Sequence, residues 1–99
     1  QLCGAIRGPV YLTIDVDGID PAVIPATGTP EPGGLSWWET LSLIRALARH
    51  HRVVGLDCVE LAPAPGLHHA DYAAAKLIYR SLGHIFLDEL QQHPAANRG

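Results

Sequence analysis

Pro9-Val10-Tyr11-Leu12-Thr13-Ile14, running straight into Asp15-Val16-Asp17-Gly18, is the stretch on which the fold turns. Its first six residues are apolar and β-rich, which predicts a short strand buried on both faces. Beyond it, from Gly18 to Leu35, no periodicity holds, and the segment carries Pro21, Pro25, Pro30 and Pro32 with Gly28, Gly33 and Gly34. Structureless loops longer than about 12–15 residues are uncommon in compact domains and are usually functional or disordered. Four prolines restrict the unfolded chain, so a shaped loop is expected. Asp20-Pro21 starts a turn and is assigned to shaping that loop.

Ser36 opens the next element. Ser36 and Glu39 have the spacing of a capping box. Trp37, Leu41, Ile44 and Ala48 recur at helical spacing, with Leu43 and Leu47 widening the stripe, so one helix face should pack on a sheet. Arg45, Arg49, His50, His51 and Arg52 crowd the far end, where positive charge suits the helix dipole; an anion site is the alternative reading. Val53 to Val59 predicts a second buried strand, ending at Glu60. A Pro/Gly turn over 62–66 leads to His68-His69 and a long helix from about Asp71 to Gln91. Its apolar face takes Ala74, Leu77 or Ile78, Leu82, Ile85 and Leu90. Gly83 inside it costs about 1 kcal/mol relative to Ala. The polar tail from His93 to Gly99 should fray.

Strand, loop, helix, strand, loop, helix argues for parallel pairing with right-handed crossovers. Two such strands cannot close a sheet, and both faces need helices over them. The 99 residues therefore read as the end of a larger α/β sandwich, and a start at Gln1 instead of Met suggests a fragment or a processed product. Composition is globular, 47% hydrophobic and 17% charged. A net charge of −3 offers no basic field for nucleic acid or an anionic membrane surface. No apolar run reaches the roughly 20 residues of a bilayer span, and no signal peptide opens the chain. Two cysteines, Cys3 and Cys58, make no disulfide scaffold, which predicts a reducing, cytoplasmic setting.

In parallel α/β sheets ligands bind beyond the carboxyl ends of the strands. Order alone puts Asp15, Asp17 and Glu60 there. In extended chain, residues i and i+2 point the same way, with Cα atoms roughly 6.6 Å apart. Two carboxylates so placed repel unless a cation lies between them, and one or a pair of hard divalent ions would fit. The plainer alternative is two aspartates capping a turn. Asp57, in mid-strand, is either buried with a hydrogen-bonding partner or part of the site, and its distance from the strand's carboxyl end favours the structural role. Glu60 could bind a cation, take a proton or pair with a guanidinium. Of the six histidines only His68 and His69 stand near the active edge, and surface or capping roles suit even these better. Of Trp37 and Trp38, one should be core and the other half-exposed. Cys58 reads as a small buried apolar residue, and nothing marks Cys3 as reactive.

Thr13-Ile14-Asp15-Val16-Asp17-Gly18-Ile19-Asp20-Pro21, continued by Pro25-Ala26-Thr27-Gly28-Thr29-Pro30 and Gly33-Gly34-Leu35-Ser36, resembles the C-terminal signature of the ureohydrolases, the arginase and agmatinase family. Gly55-Leu56-Asp57-Cys58-Val59-Glu60-Leu61-Ala62-Pro63 resembles its next block, and residues 73–82 its last helix. Glu31-Pro32 and the block around Glu60 resemble the agmatinase branch most. The resemblance implies a three-layer α/β/α sandwich with a mostly parallel sheet, of which residues 1–99 are a C-terminal β-α-β-α piece of one domain. It implies a homo-oligomer, trimer or hexamer, and two Mn²⁺ ions. Asp15 would bridge both ions and Asp17 hold one, making these the catalytic and metal-binding residues. Glu60 would pair with the substrate guanidinium and Thr29 line the pocket. The implied reaction, a step of polyamine metabolism, hydrolyses a linear guanidine, agmatine first, to urea and an amine through a hydroxide bridging the metals. The family's other ligands lie in an earlier histidine- and aspartate-rich segment that these residues lack, so the isolated chain is expected to be inactive.

Two other readings compete. Strand-Asp-x-Asp-Gly, here Asp15 and Asp17, also opens haloacid-dehalogenase-like phosphatases, in which the first Asp is a phosphoryl acceptor with Mg²⁺ beside it. Ile19-Asp20-Pro21 does not continue that motif, and the only lysine, Lys76, lies well inside a helix. The second reading is a non-catalytic packing or oligomer element.

Overall fold

The computed structural model describes residues 2–92, and the side chains of residues 4–87. A short helix α1 (Leu2–Ala5) precedes strand β1 (Val10–Asp15) and a single 3₁₀ turn at Val16–Gly18; helix α2 (Trp37–His50), strand β2 (Val53–Val59) and helix α3 (His68–Gln92) follow. The two strands pair in parallel, with Leu12 opposite Leu56, Ile14 opposite Cys58 and Asp15 opposite Val59.

The Ser36 hydroxyl accepts the Glu39 N–H at 3.1 Å, while the Glu39 carboxylate accepts the Ser36 N–H at 2.9 Å. The expected capping box thus starts α2. Its buried face is Thr40, Leu41, Ile44, Leu47 and Ala48. Leu43, expected in that stripe, is exposed, since its position falls to the side of the contact with the sheet. Among the described side chains of α3 the buried ones are Ala70, Ala74, Leu77 and Ser81. Leu77 takes the core place and Ile78 is only half-buried. Leu82, expected inside, lies at the margin, because Ile78, Leu82, Ile85 and Phe86 border an open apolar groove against β2 of about 480 Å³. Gly83 leaves the helix unbroken. Leu90 and the tail from His93 to Gly99 lie outside the described side chains.

The core joins Ile14, Val16, Ile19, Ile24 and Ala26 to Leu41, Ile44, Ala74 and Leu77, with Leu12, Leu56 and Cys58 packed against it. Side chains alternate along a strand, so Leu12, Ile14, Leu56 and Cys58 share the face that α2 and α3 cover. Tyr11, Thr13 and Asp15 lie on the other face and are exposed. Neither strand is therefore buried on both faces as expected: the chain supplies one helical layer, not two. The proline loop is ordered by its own backbone. The Asp20 N–H donates to Leu35 O at 2.9 Å and the Leu35 N–H to Gly18 O at 2.9 Å. Asp20 shapes it further, its carboxylate accepting the N–H groups of Ala22 at 2.8 Å and Gly33 at 3.1 Å.

Candidate active site

Asp15 ends β1 with an extended backbone, and its Oδ1 accepts the N–H of Asp17 at 2.9 Å. Expecting an extended chain through Asp17 was wrong. Val16 is drawn fully into the core, and the backbone winds into the 3₁₀ turn that Asp15 caps. This turn, and not the strand pleat, sets the Asp17 backbone against the Asp15 carboxylate. Turn capping and ligand binding are not exclusive here. Among the described residues only one oxygen of Asp15 takes a hydrogen bond, and the side chain is exposed.

Asp17 is gripped by two hydroxyls. Thr27 donates to its Oδ1, and Thr29 donates to its Oδ2 at 2.6 Å. These bonds, that of Thr27 foremost, hold the Asp17 carboxyl below the usual carboxylate range. Thr29 is thereby brought to Asp17. Thr27 escaped the reading from sequence. Its one signal is hydroxyls two residues apart in a Pro/Gly loop, matching the spacing of Asp15 and Asp17.

Glu60 follows directly on Val59, the ladder partner of Asp15, so both acids stand at the same strand ends. Its φ of 70° is left-handed, unlike any other non-glycine among the described residues. Two contacts hold the chain there: a bridge between Thr27 and Leu61, and the Ala62 N–H donating to Ala26 O at 2.8 Å. The Glu60 side chain is exposed.

Asp57 has the structural partner expected of it. The Tyr11 hydroxyl donates to its Oδ2 at 3.1 Å, and this bond raises the Tyr11 pKa. Its buried Oδ1 has no donor among the described residues. His68 and His69 open α3 and are exposed, as surface residues would be. Trp37 packs against the core and Trp38 is 69% exposed. Burial, and then Asp57 and Asp15, push the half-buried Cys58 thiol up. The Cys3 side chain lies outside the described residues.

Carboxylate oxygens suit hard divalent cations. Asp15 and Asp17 fit such an ion as part of its shell, and no cluster of three or more His, Cys, Asp or Glu side chains able to hold a metal occurs among the described residues.

A sequence profile of the Arginase family matches residues 1–83. The chain belongs to the arginase family. An N(1)-aminopropylagmatine ureohydrolase from Synechocystis sp. is 48% identical over 75 residues, covering 76% of this chain and 24% of that protein. An agmatinase from Pyrococcus horikoshii is 38% identical over 83 residues, covering 84% of this chain and 29% of its own length. Among solved structures, the agmatine ureohydrolase of Thermoplasma volcanium superposes with a TM-score of 0.77 at 34% identity, over 93% of this chain and 31% of that one. The expected arginase-like α/β fold is thus shown, and the phosphatase reading finds no support. The chain spans about a quarter of the length of its curated relatives, 24% and 28% of the first two.

Proposed function

We propose that these residues are the C-terminal portion of a single ureohydrolase domain that hydrolyses a linear guanidine to urea and an amine. The observation that carries the reading is the meeting of Asp15, Asp17 and Glu60 at adjoining strand ends within a chain of the arginase family. Asp15 and Asp17 would hold divalent metal, Mn²⁺ by preference, and the remaining ligands would come from residues outside these 99. When bound, the ions supply water of lowered pKa beside an electrophilic carbon. Glu60 presents an exposed carboxylate, the natural partner of a planar guanidinium. Thr29 orders Asp17 at the wall of the same site. The assembly is a homo-oligomer, trimeric or hexameric, and cytoplasmic.

Agmatine is the first substrate to test, and N(1)-aminopropylagmatine the second, because a 48% identical relative carries that name. The full-length protein loaded with Mn²⁺ is expected to release urea from one or both, and to lose that activity in Asp15→Ala and Asp17→Ala. Calorimetric titration with Mn²⁺ should show binding in wild type and its loss in both variants. Full activity in Asp15→Ala would overturn the assignment; a protein that binds no Mn²⁺ and releases no urea would leave the packing element as the better account.

A further inference from the structure

We infer that Thr27 is a positioning residue for the metal-binding carboxylate of Asp17, and that it ties this carboxylate to the strand end that carries Glu60. The inference deepens the proposed ureohydrolase reading and rests on it.

Thr27 makes contacts in two directions. Its hydroxyl donates to Asp17 Oδ1, on the turn that follows β1. Its backbone bridges Leu61, the residue after Glu60, beyond the end of β2. The neighbouring Ala62 N–H donates to Ala26 O at 2.8 Å, and the Thr27 N–H to Pro25 O at 3.0 Å. Ile24 and Ala26 are buried on the core, so the segment that presents Thr27 cannot drift. Thr29 meets Asp17 through both its hydroxyl and its backbone N–H but is exposed, and among the described residues no bridge ties it to the end of β2. Thr27 is therefore the better anchored of the two donors. Hydrogen-bond partners that orient a metal's ligands typically change metal affinity 10–100-fold when lost. A carboxylate freed from Thr27 could turn about its side-chain torsions and present its oxygens off the ion. The backbone bridge to Leu61 would survive a side-chain substitution, so the setting of Glu60 should not change.

The test uses the full-length protein. Thr27→Val keeps the β-branched shape and removes the donor; Thr27→Ser keeps the donor; Thr27→Ala removes it without β-branching. Calorimetric titration with Mn²⁺, without substrate, should show affinity falling about 10–100-fold in Thr27→Val and Thr27→Ala, and largely restored in Thr27→Ser. At saturating Mn²⁺ the KM for agmatine should hold while kcat falls in the two variants that lack the hydroxyl. If Thr27→Val does not fold, Ser against Ala still isolates the hydroxyl. Equal affinities in Ser and Ala, or a fall in Tm with unchanged Mn²⁺ affinity, would overturn the inference. Wild type that binds no Mn²⁺ would remove it together with the functional reading. Wild type that binds Mn²⁺ with the expected dependence on the Thr27 hydroxyl but releases no urea would remove the functional reading alone.

Discussion

At Glu60 a left-handed backbone coincides with the carboxylate assigned to the substrate. Left-handed φ crowds Cβ against the following carbonyl at roughly 1–2 kcal/mol. Glycine relieves that crowding but loses more chain freedom on folding, about 0.5–1 kcal/mol. The two effects nearly offset, so Glu60→Gly should match wild type in urea denaturation to within about 1 kcal/mol while raising the KM for agmatine. A large loss of stability would mean that the carboxylate itself holds the fold. Gly34 is a different case. A Cβ there would lie 2.8 Å from Asp20 N and 2.9 Å from both Gly18 O and Ile19 C, all backbone atoms that cannot rotate away. Gly34→Ala is expected to destabilise by about 1–3 kcal/mol, read from the denaturation midpoint. Asp15, Asp17 and Glu60 were legible because strand order alone assigns residues to a sheet's carboxyl edge. Their geometry was not, since nothing in the sequence announces that Val16 turns inward. Thr27 was hidden because a loop hydroxyl has no period to betray it.

Helix α2 was readable because its start is written in two residues. Ser36→Ala should cost about 1 kcal/mol, measured by thermal or chemical denaturation. The Ser36 N–H, and secondarily its hydroxyl, hold the Glu39 carboxyl below its ordinary range. A depressed folded pKa contributes stability that is complete above the unfolded value, about 4.3 for Glu, and is lost as pH falls through the folded one. The Tm difference between wild type and Glu39→Gln should therefore be steady near neutrality and close below about pH 4. A difference that grew on acidification would refute this origin. Helix α3 was less legible at its edges. It begins at His68 and not Asp71, where the buried Ala70 donates its N–H to Leu67 O at 3.1 Å and draws the preceding turn into the helix. Ser81 is buried where polarity argued against it because its hydroxyl donates to Leu77 O at 2.7 Å. A helix satisfies such a hydroxyl internally, so the apolar pattern alone misplaced the stripe by one residue, onto Leu82.

For the whole molecule, the decisive quantity is what these residues leave uncovered. The two-stranded sheet has helices on one face only, Tyr11 on the other is 59% exposed, and Phe86 beside the apolar groove is 60% exposed. The radius of gyration is 14.8 Å, against about 13 Å for a self-contained domain of 100 residues. The acids meet the same shortage as the sheet. Asp15 and Asp17 offer four carboxylate oxygens; three of these already accept hydrogen bonds within the chain. Mn²⁺ is bound by a full shell of oxygen and imidazole ligands in proteins, and two carboxylates on an open edge leave most of that shell to water. The isolated 99-residue chain with saturating Mn²⁺ is accordingly expected to release no urea from agmatine above a protein-free control, and to bind an apolar dye in the open groove between β2 and α3. The full-length protein should do the reverse on both counts. Urea from the isolated chain, abolished by Asp15→Ala, would mean that two carboxylates suffice and that the missing layer contributes stability without chemistry. Silence from both chains would instead move the fault to the metal assignment.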